Sequence, residues 1–429
     1  MSITRPLGFR AAATVAGLKK SGKADLALIV CDSDDARLVK GRGHPIEGGR
    51  TSAAVFTTNA VVGAPIQIGR AWRERVAKGG KSIRALLVNS GAANAATGEQ
   101  GVKDALGCMG ALAERLRCDP EEVLPSSTGV IGRRIPVEKV VGALPALVAG
   151  LARGEEADEA AARAIMTTDL VPKTAHREIE LFGHQIHVGA IAKGSGMIAP
   201  RLDSFAVSPA TQATMLAFIT TDAPVHGLAL QRALEAASRQ SFDRVSVDAH
   251  PSCSDTVVAI ASGAAPIRPI YMDTPEYFAF KAALMSICQD LAEQVVHDGE
   301  GATRTFKVTV RGARTSAEAE RMARAVVDSP LVKCAVHGKD ANWGRIVTAA
   351  GNAGVPFNPN ETSLVIGTTE VYLDGVPTTF EKSDPMLRAA MDADPVEMTL
   401  TVGHGDGQAW MMGCDLSAEY VKINAEYTT

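Results

Sequence analysis

The chain has no Cys-x-x-Cys pair, and its seven cysteines are scattered and odd in number over 429 residues. That excludes a disulfide framework and a cysteine zinc site, and reads as reduced thiols in a cytoplasmic protein. No charge of one sign dominates either. With 44 basic and 48 acidic residues the net charge is −4, so there is no broad basic field to draw in nucleic acid. Long apolar runs are missing: the longest, Gly142–Ala152, is too short for a membrane span and contains Pro145. Met1–Lys20 carries Arg5, Arg10, Lys19 and Lys20 without a continuous apolar stretch, so no secretory signal is expected. No repeat of fixed period and no low-complexity linker interrupts the sequence. His184 and His187 suggest a metal pair, but without further ligands nearby they read as strand or surface residues, and no metal is expected.

What is present is ample apolar material, 46% of residues, on a length that suggests two or three domains. Strand-like runs cover Arg84–Asn89, Phe306–Arg311 and Ser363–Leu373, the last ending before Asp374-Gly375. Helical density of Ala, Leu and Glu covers Gly101–Leu116, Glu155–Met166, Tyr277–His297 and Thr315–Asp328. Strands and helices mixed throughout predict an α/β or α+β chain with layered sheets. The polar, proline-containing Arg201–Gln212 reads as an exposed loop, where chain scission concentrates. A second boundary is expected near Glu300–Thr305.

The segment Lys193–Ala223 carries the strongest chemical signal. A glycine-rich turn, Lys193–Met197, is followed by a polar stretch and then by Thr214 at the head of an apolar run, Met215–Ile219. As a side chain threonine is a poor nucleophile near neutral pH, and at the start of a strand or helix it is usually a cap or packing residue. Scission just before it would change that. The freed α-amine, with a reference pKa of about 7.7–8.0, becomes general base for its own hydroxyl.

The blocks GFRAAATVAGLKKSGKADLALIV, AAVFTTNAVVGAPI, LVNSGAANAATGEQG, SSTGVIGRRIP, AIMTTDLVPK, AKGSGMIAP with ATMLAFITTDA, HDGEGATRTFKVTV, SPLVKCAVHGKDANWGRI and GCDLSAEYVKINAEYTT follow one another in register. Together they resemble the ornithine acetyltransferase family of arginine biosynthesis, glutamate N-acetyltransferases that mature by self-cleavage. The resemblance implies a layered α-β-β-α-type body, 1–300, completed by a smaller C-terminal α/β lobe, 301–429. It implies cleavage between Ala213 and Thr214 into an α-chain, 1–213, and a β-chain, 214–429. Thr214 is then the nucleophile of a ping-pong reaction moving acetyl from N-acetyl-L-ornithine to L-glutamate, with acetyl-CoA as a second acyl donor in bifunctional members. Thr128 and Gly129, in Ser126–Val130, match the oxyanion segment. On the residues alone that stretch is a Ser/Thr-rich turn before a strand.

Thr168, Lys193, Glu300, Asn424 and Thr429 match the family's substrate-binding positions, with Thr167 a close alternative to Thr168. A substrate with a carboxylate and an ammonium needs a fixed cation and a fixed anion, which assigns Lys193 to the first and Glu300 to the second by complementarity. Otherwise Lys193 is a solvated lysine beside a glycine turn. Asp340–Arg345 reads as structural or pocket-supporting, and a catalytic thiol is a distant alternative. No organic cofactor is needed, because base and nucleophile come from one residue. The family also implies two α and two β chains per assembly.

Three departures bear on specificity. Arg201–Gln212 is an insertion directly before the expected scissile bond, with Arg201 and Asp203 placed to reshape the pocket mouth. It brings in Thr211, after Ala210, as a rival to Thr214, although Met215-Leu216 after Thr214 matches the family. The run Asp248–Thr256 keeps Asp248, Ser252, Asp255 and Thr256 but carries His250, Pro251 and Cys253, and Ala92 replaces an asparagine. These leave two other readings open: a self-cleaving amidohydrolase or aminopeptidase with water as acceptor, and a paralogue with shifted substrate or no activity.

Overall fold

The computed structural model describes residues 2–32, 49–202, 215–379 and 384–426. Thr211, Ala213, Thr214 and Thr429, with Asp203 and the rest of the insertion after Leu202, lie outside the described residues. In chain order the elements begin β1 (Phe9–Thr14), β2 (Leu26–Cys31), β3 (Thr51–Phe56), α1 (Ala64–Val76), β4 (Ala85–Ala92), α2 (Gly98–Leu116) and β5 (Val123–Val130). Next come α3 (Val137–Ala149), α4 (Glu155–Ile165), β6 (Lys173–Leu181), β7 (His184–Lys193), β8 (Leu216–Thr221), α5 (Gly227–Arg239), β9 (Val245–Ser246), β10 (Thr256–Ala261) and α6 (Pro275–His297). The last part contains β11 (Thr305–Ala313), α7 (Ser316–Val327), α8 (Pro330–His337), α9 (Trp343–Gly351), β12 (Ser363–Ile366), β13 (Thr369–Leu373), β14 (Val376–Pro377), α10 (Pro385–Asp392), β15 (Val396–Thr401), β16 (Gly407–Cys414) and α11 (Ala418–Glu426). These elements form two compact units, Met1–Asp243 with His250–Val295, and Arg244–Ala249 with Val296–Thr428.

In the first unit β2 builds two cores at once. Its sequence LALIVC is buried along its whole length, and successive strand side chains point to opposite faces. Leu26, Leu28 and Val30 join Leu112 of α2 and Leu144 of α3 on one side. Ala27, Ile29 and Cys31 join Phe56, Ile191, Phe218 and Val258 on the other. The four-stranded sheet β1-β2-β4-β5 therefore lies between a helix layer and the five-stranded sheet β3-β10-β8-β7-β6. With α5 packed on β3 and β10, the expected α-β-β-α layering is what the unit shows.

Both edges of the five-stranded sheet are closed by a helix glutamine. Gln231 of α5 bonds the N–H and the carbonyl of Ala54 on β3, at 3.1 Å each. Gln294 of α6 does the same for Thr174 on β6, also at 3.1 Å each. A side-chain amide offers one acceptor and one donor in the spacing of a neighbouring strand, so it satisfies an edge that would otherwise invite pairing.

The second unit is a seven-stranded sheet, β14-β13-β12-β15-β11-β16-β9, over a core in which Val326, Ile346 and Leu387 of three helices meet Val308, Leu364 and Leu400 of the sheet. The run expected as one strand, Ser363–Leu373, is two strands here. Gly367, at φ +61°, turns β12 back into β13. The apolar residues on either side hid a turn that glycine makes inexpensive.

Candidate active site

Strand β5 ends in Ser-Ser-Thr-Gly-Val, lying parallel to β4 with Thr128 opposite Ser90 and Gly129 opposite Gly91. Side chains lock the strand ends together: Ser127 Oγ donates to Asn89 Oδ1 at 2.6 Å, and Asn89 Nδ2 donates to the Ala92 carbonyl at 2.8 Å. Gly129 has φ +119°, and a Cβ there would lie 2.6 Å from the Gly91 carbonyl carbon. The close approach of the two backbones needs glycine. Gly129→Ala is expected to lower stability by about 1–3 kcal/mol through backbone strain and a displaced β4–β5 pair. Thermal unfolding measures it, and an unchanged melting temperature would contradict this account.

Lys193 closes β7 and is only 2% exposed, so it is not the solvated lysine that its place beside a glycine turn suggested. Its Nζ donates to Thr128 Oγ1 at 3.3 Å and lies 3.9 Å from Asp169 Oδ2. Asp169 organises this centre. Its Oδ1 accepts from Lys173 Nζ at 2.8 Å and from the Gly194 N–H at 2.7 Å, and its Oδ2 from the Thr167 N–H at 2.9 Å. Burial alone would raise the Asp169 carboxyl, but Lys193 and Lys173, with these hydrogen bonds, hold it well below the usual carboxylate range. Burial lowers the Lys19 ammonium to about 8; Lys193 pushes the same way, against Asp25 and Asp169. Lys19 Nζ donates to the carbonyls of Ala24 and Ala164 at 3.0 and 3.2 Å. Thr167 and Thr168 are half-buried in the segment leading into Asp169.

The start of β8 is set against this centre by strand register. Leu216 lies opposite Lys193 on β7 and opposite Thr256 on β10. Just before it, the Met215 N–H donates to Asp255 Oδ1, and the Met215 carbonyl accepts from the Thr256 N–H at 2.9 Å. Met215, the residue after Thr214 in sequence, is thus buried and bonded through both backbone groups. The insertion leaves from an anchored point: the Arg201 carbonyl accepts from Thr58 N and Oγ1, each at 3.3 Å, and Leu202 N donates to Asp243 Oδ1 at 2.9 Å.

In the second unit, Glu300 and Asn424 come together. Asn424 Nδ2 donates to Glu300 Oε2 at 2.9 Å and to the Tyr420 carbonyl at 3.0 Å. Gly301, at φ +68°, lets the chain after Glu300 pass under α11, since a Cβ there would sit 2.4 Å from Tyr420 N. Ser417 Oγ donates to the Gly301 carbonyl at 2.6 Å and fixes the same turn.

Within the first unit Thr128, Gly129 and Lys193 are therefore neighbours, and within the second Glu300 and Asn424 are. Sequence reasoning missed Asp169, whose role shows only as an Asp-x-x-x-Lys spacing to Lys173, and gave Asp255 no role. Burial pushes the Cys108 thiol up to about 11 and raises Cys288 and Cys414 as well, which disfavours the thiolate at these three positions. Trp343 stacks on Tyr372, ring centres 5.1 Å apart, which is a packing role.

A family model described as the ArgJ family matches residues 10–429. The arginine biosynthesis bifunctional protein ArgJ of Thermosynechococcus vestitus is 42% identical over 440 residues, covering 100% of this chain and 98% of that protein. Its counterpart from Bacillus cereus is 39% identical over 428 residues, covering 100% and 97%. Among solved structures, a crystal structure of Arginine biosynthesis bifunctional protein argJ from Bacillus halodurans is 40% identical over 50% of this chain and 100% of that one, with a TM-score of 0.48. The family model over residues 10–429 and the identity along the whole chain to these two proteins place the chain in the ArgJ family.

Proposed function

We propose that scission after Ala213 frees Thr214 as a chain terminus, and that this ArgJ-family enzyme of arginine biosynthesis then moves acetyl from N-acetyl-L-ornithine to L-glutamate. The observation that carries the reading is the register of β8. Leu216 lies opposite Lys193, whose Nζ reaches Thr128, so the β8 start and the oxyanion segment share one buried centre.

Cleavage begins with attack of the Thr214 hydroxyl on the Ala213 carbonyl. The N-to-O acyl shift gives an ester, and water releases chains 1–213 and 214–429. In turnover the α-amine takes the hydroxyl proton as Oγ1 attacks the N-acetyl carbonyl. Thr128 and Gly129 N–H groups face the oxyanion, a donor worth about 3–4 kcal/mol in the transition state. Ornithine leaves with the proton, and the glutamate amine takes the acetyl group from the threonine ester. Lys193 is the cation for a substrate carboxylate, and Glu300, bonded by the Asn424 amide, is the anion for an ammonium; Thr168 and Thr429 are the other residues that the family likeness assigns to substrate. Acetyl-CoA serves as a second acyl donor, and neither metal nor organic cofactor takes part. The mature enzyme is a cytoplasmic α2β2 assembly.

The test is to incubate purified protein with N-acetylornithine and glutamate, with and without acetyl-CoA, and to measure N-acetylglutamate and ornithine. Equal amounts of both products without acetyl-CoA are expected. Acetate release independent of glutamate would assign a hydrolase instead, and no product in either mixture would overturn the substrate assignment.

A further inference from the structure

We propose that His176, Glu178 and His187 form a binding site for a divalent transition-metal ion of the zinc type. The two histidines first suspected from spacing, His184 and His187, point to opposite faces of β7, because residues three apart on a strand do. The partners of His187 come from β6. A two-residue turn, Phe182 at φ +54° and Gly183 at φ +74°, joins β6 to β7 and fixes their register. That register puts Glu178 opposite His187 and leaves His176 on the same face, two residues earlier.

The distances are those of metal ligands. His176 Nε2 is 3.3 Å from His187 Nδ1, and Glu178 Oε1 is 3.4 Å from the same nitrogen. Ligands held about 2.0–2.1 Å from a tetrahedral zinc lie roughly 3.3–3.4 Å from each other. One ligand atom from each of the three residues falls within 4.8 Å of the others.

The scaffold is rigid where a ligand set needs it. The His187 N–H donates to Asp222 Oδ1 at 2.9 Å, and the His187 carbonyl accepts from Thr221 Oγ1 at 2.9 Å. A cleft of about 260 Å³, lined by Leu7, Arg153, Gln185, His187 and Asp222, opens beside His187. Arg5 also reaches Glu178 Oε1, at 3.0 Å, and competes with the ion for that oxygen. Imidazole with carboxylate selects zinc and its first-row neighbours over calcium or magnesium.

The experiment uses tag-free full-length protein freed of metal by a chelator, titrated with ZnCl2 by calorimetry and by thermal unfolding, with CaCl2 as control. One zinc per chain, a raised melting temperature and no response to calcium are expected. His176→Gln and Glu178→Gln, both outside the core, should each weaken zinc binding about tenfold or more with unchanged circular dichroism, and the double variant should lose it. Arg5→Ala should tighten it. Cobalt(II) should show a tetrahedral visible spectrum that His176→Gln removes. No saturable zinc binding, or binding unchanged in the double variant, would overturn the proposal. Acetyl transfer by these variants is expected to be unaltered, so a failure here leaves the acyltransferase reading standing.

Discussion

Thr214→Ala is expected to give a single full-length band on a denaturing gel and no acetyl transfer. In the proposed mechanism one residue supplies both nucleophile and base, so the loss is of the whole apparatus and turnover should fall at least about 10⁴-fold. Thr214→Ser keeps a hydroxyl and an α-amine and should retain part of both activities. N-terminal sequencing of the wild-type fragments distinguishes the rival: a chain beginning TMLAF identifies Thr214, whereas TQATM identifies Thr211. Two bands from Thr214→Ala would exclude it as the nucleophile.

Asp169→Asn should be the most damaging substitution away from the nucleophile. It removes the carboxylate that faces both Lys173, with no exposed surface, and the buried Lys193, and breaking one side of a buried charge set costs about 3–5 kcal/mol. Urea unfolding measures this. Double Asp169→Asn, Lys173→Met also removes the buried charge that Asp169 faces and should recover part of the loss. The pH dependence has a definite sign. The folded carboxyl lies below its unfolded value of about 3.9, so its stabilisation is present above that pH and disappears as pH falls through the lower folded value. The Asn variant should therefore show a flatter acid limb in its stability profile. An Asn variant as stable as the wild type at neutral pH would remove Asp169 from the centre of this account.

The layers were legible because their signals are local. Gly101–Leu116 and Tyr277–His297 carry uninterrupted helical composition, and the helices found, Gly98–Leu116 and Pro275–His297, extend them by a few residues at the N-terminal end. Within the site, Gly129 and Lys193 were reached through resemblance, and the structure adds why these types are needed: one for a backbone approach, the other for a buried cation. Asp169 escaped because two of its partners, Lys193 and Gly194, lie at the far end of the β6–β7 hairpin, whose register brings them back beside it. Spacing brings His184 and His187 to notice together, while the residue that faces His187 is Glu178 of β6, because cross-strand register decides which side chains meet.

β8 is the middle strand of its sheet, flanked by β7 from before the proposed scission and by β10 from after it. A cut before Thr214 would therefore yield interleaved pieces, each lacking a strand row that the other supplies. Such pieces behave as complementing fragments: they should co-elute under native conditions, melt in one cooperative transition and part only in denaturant. Expressed alone, 1–213 would present the bare backbone of β7 to solvent and should aggregate until the other piece is supplied.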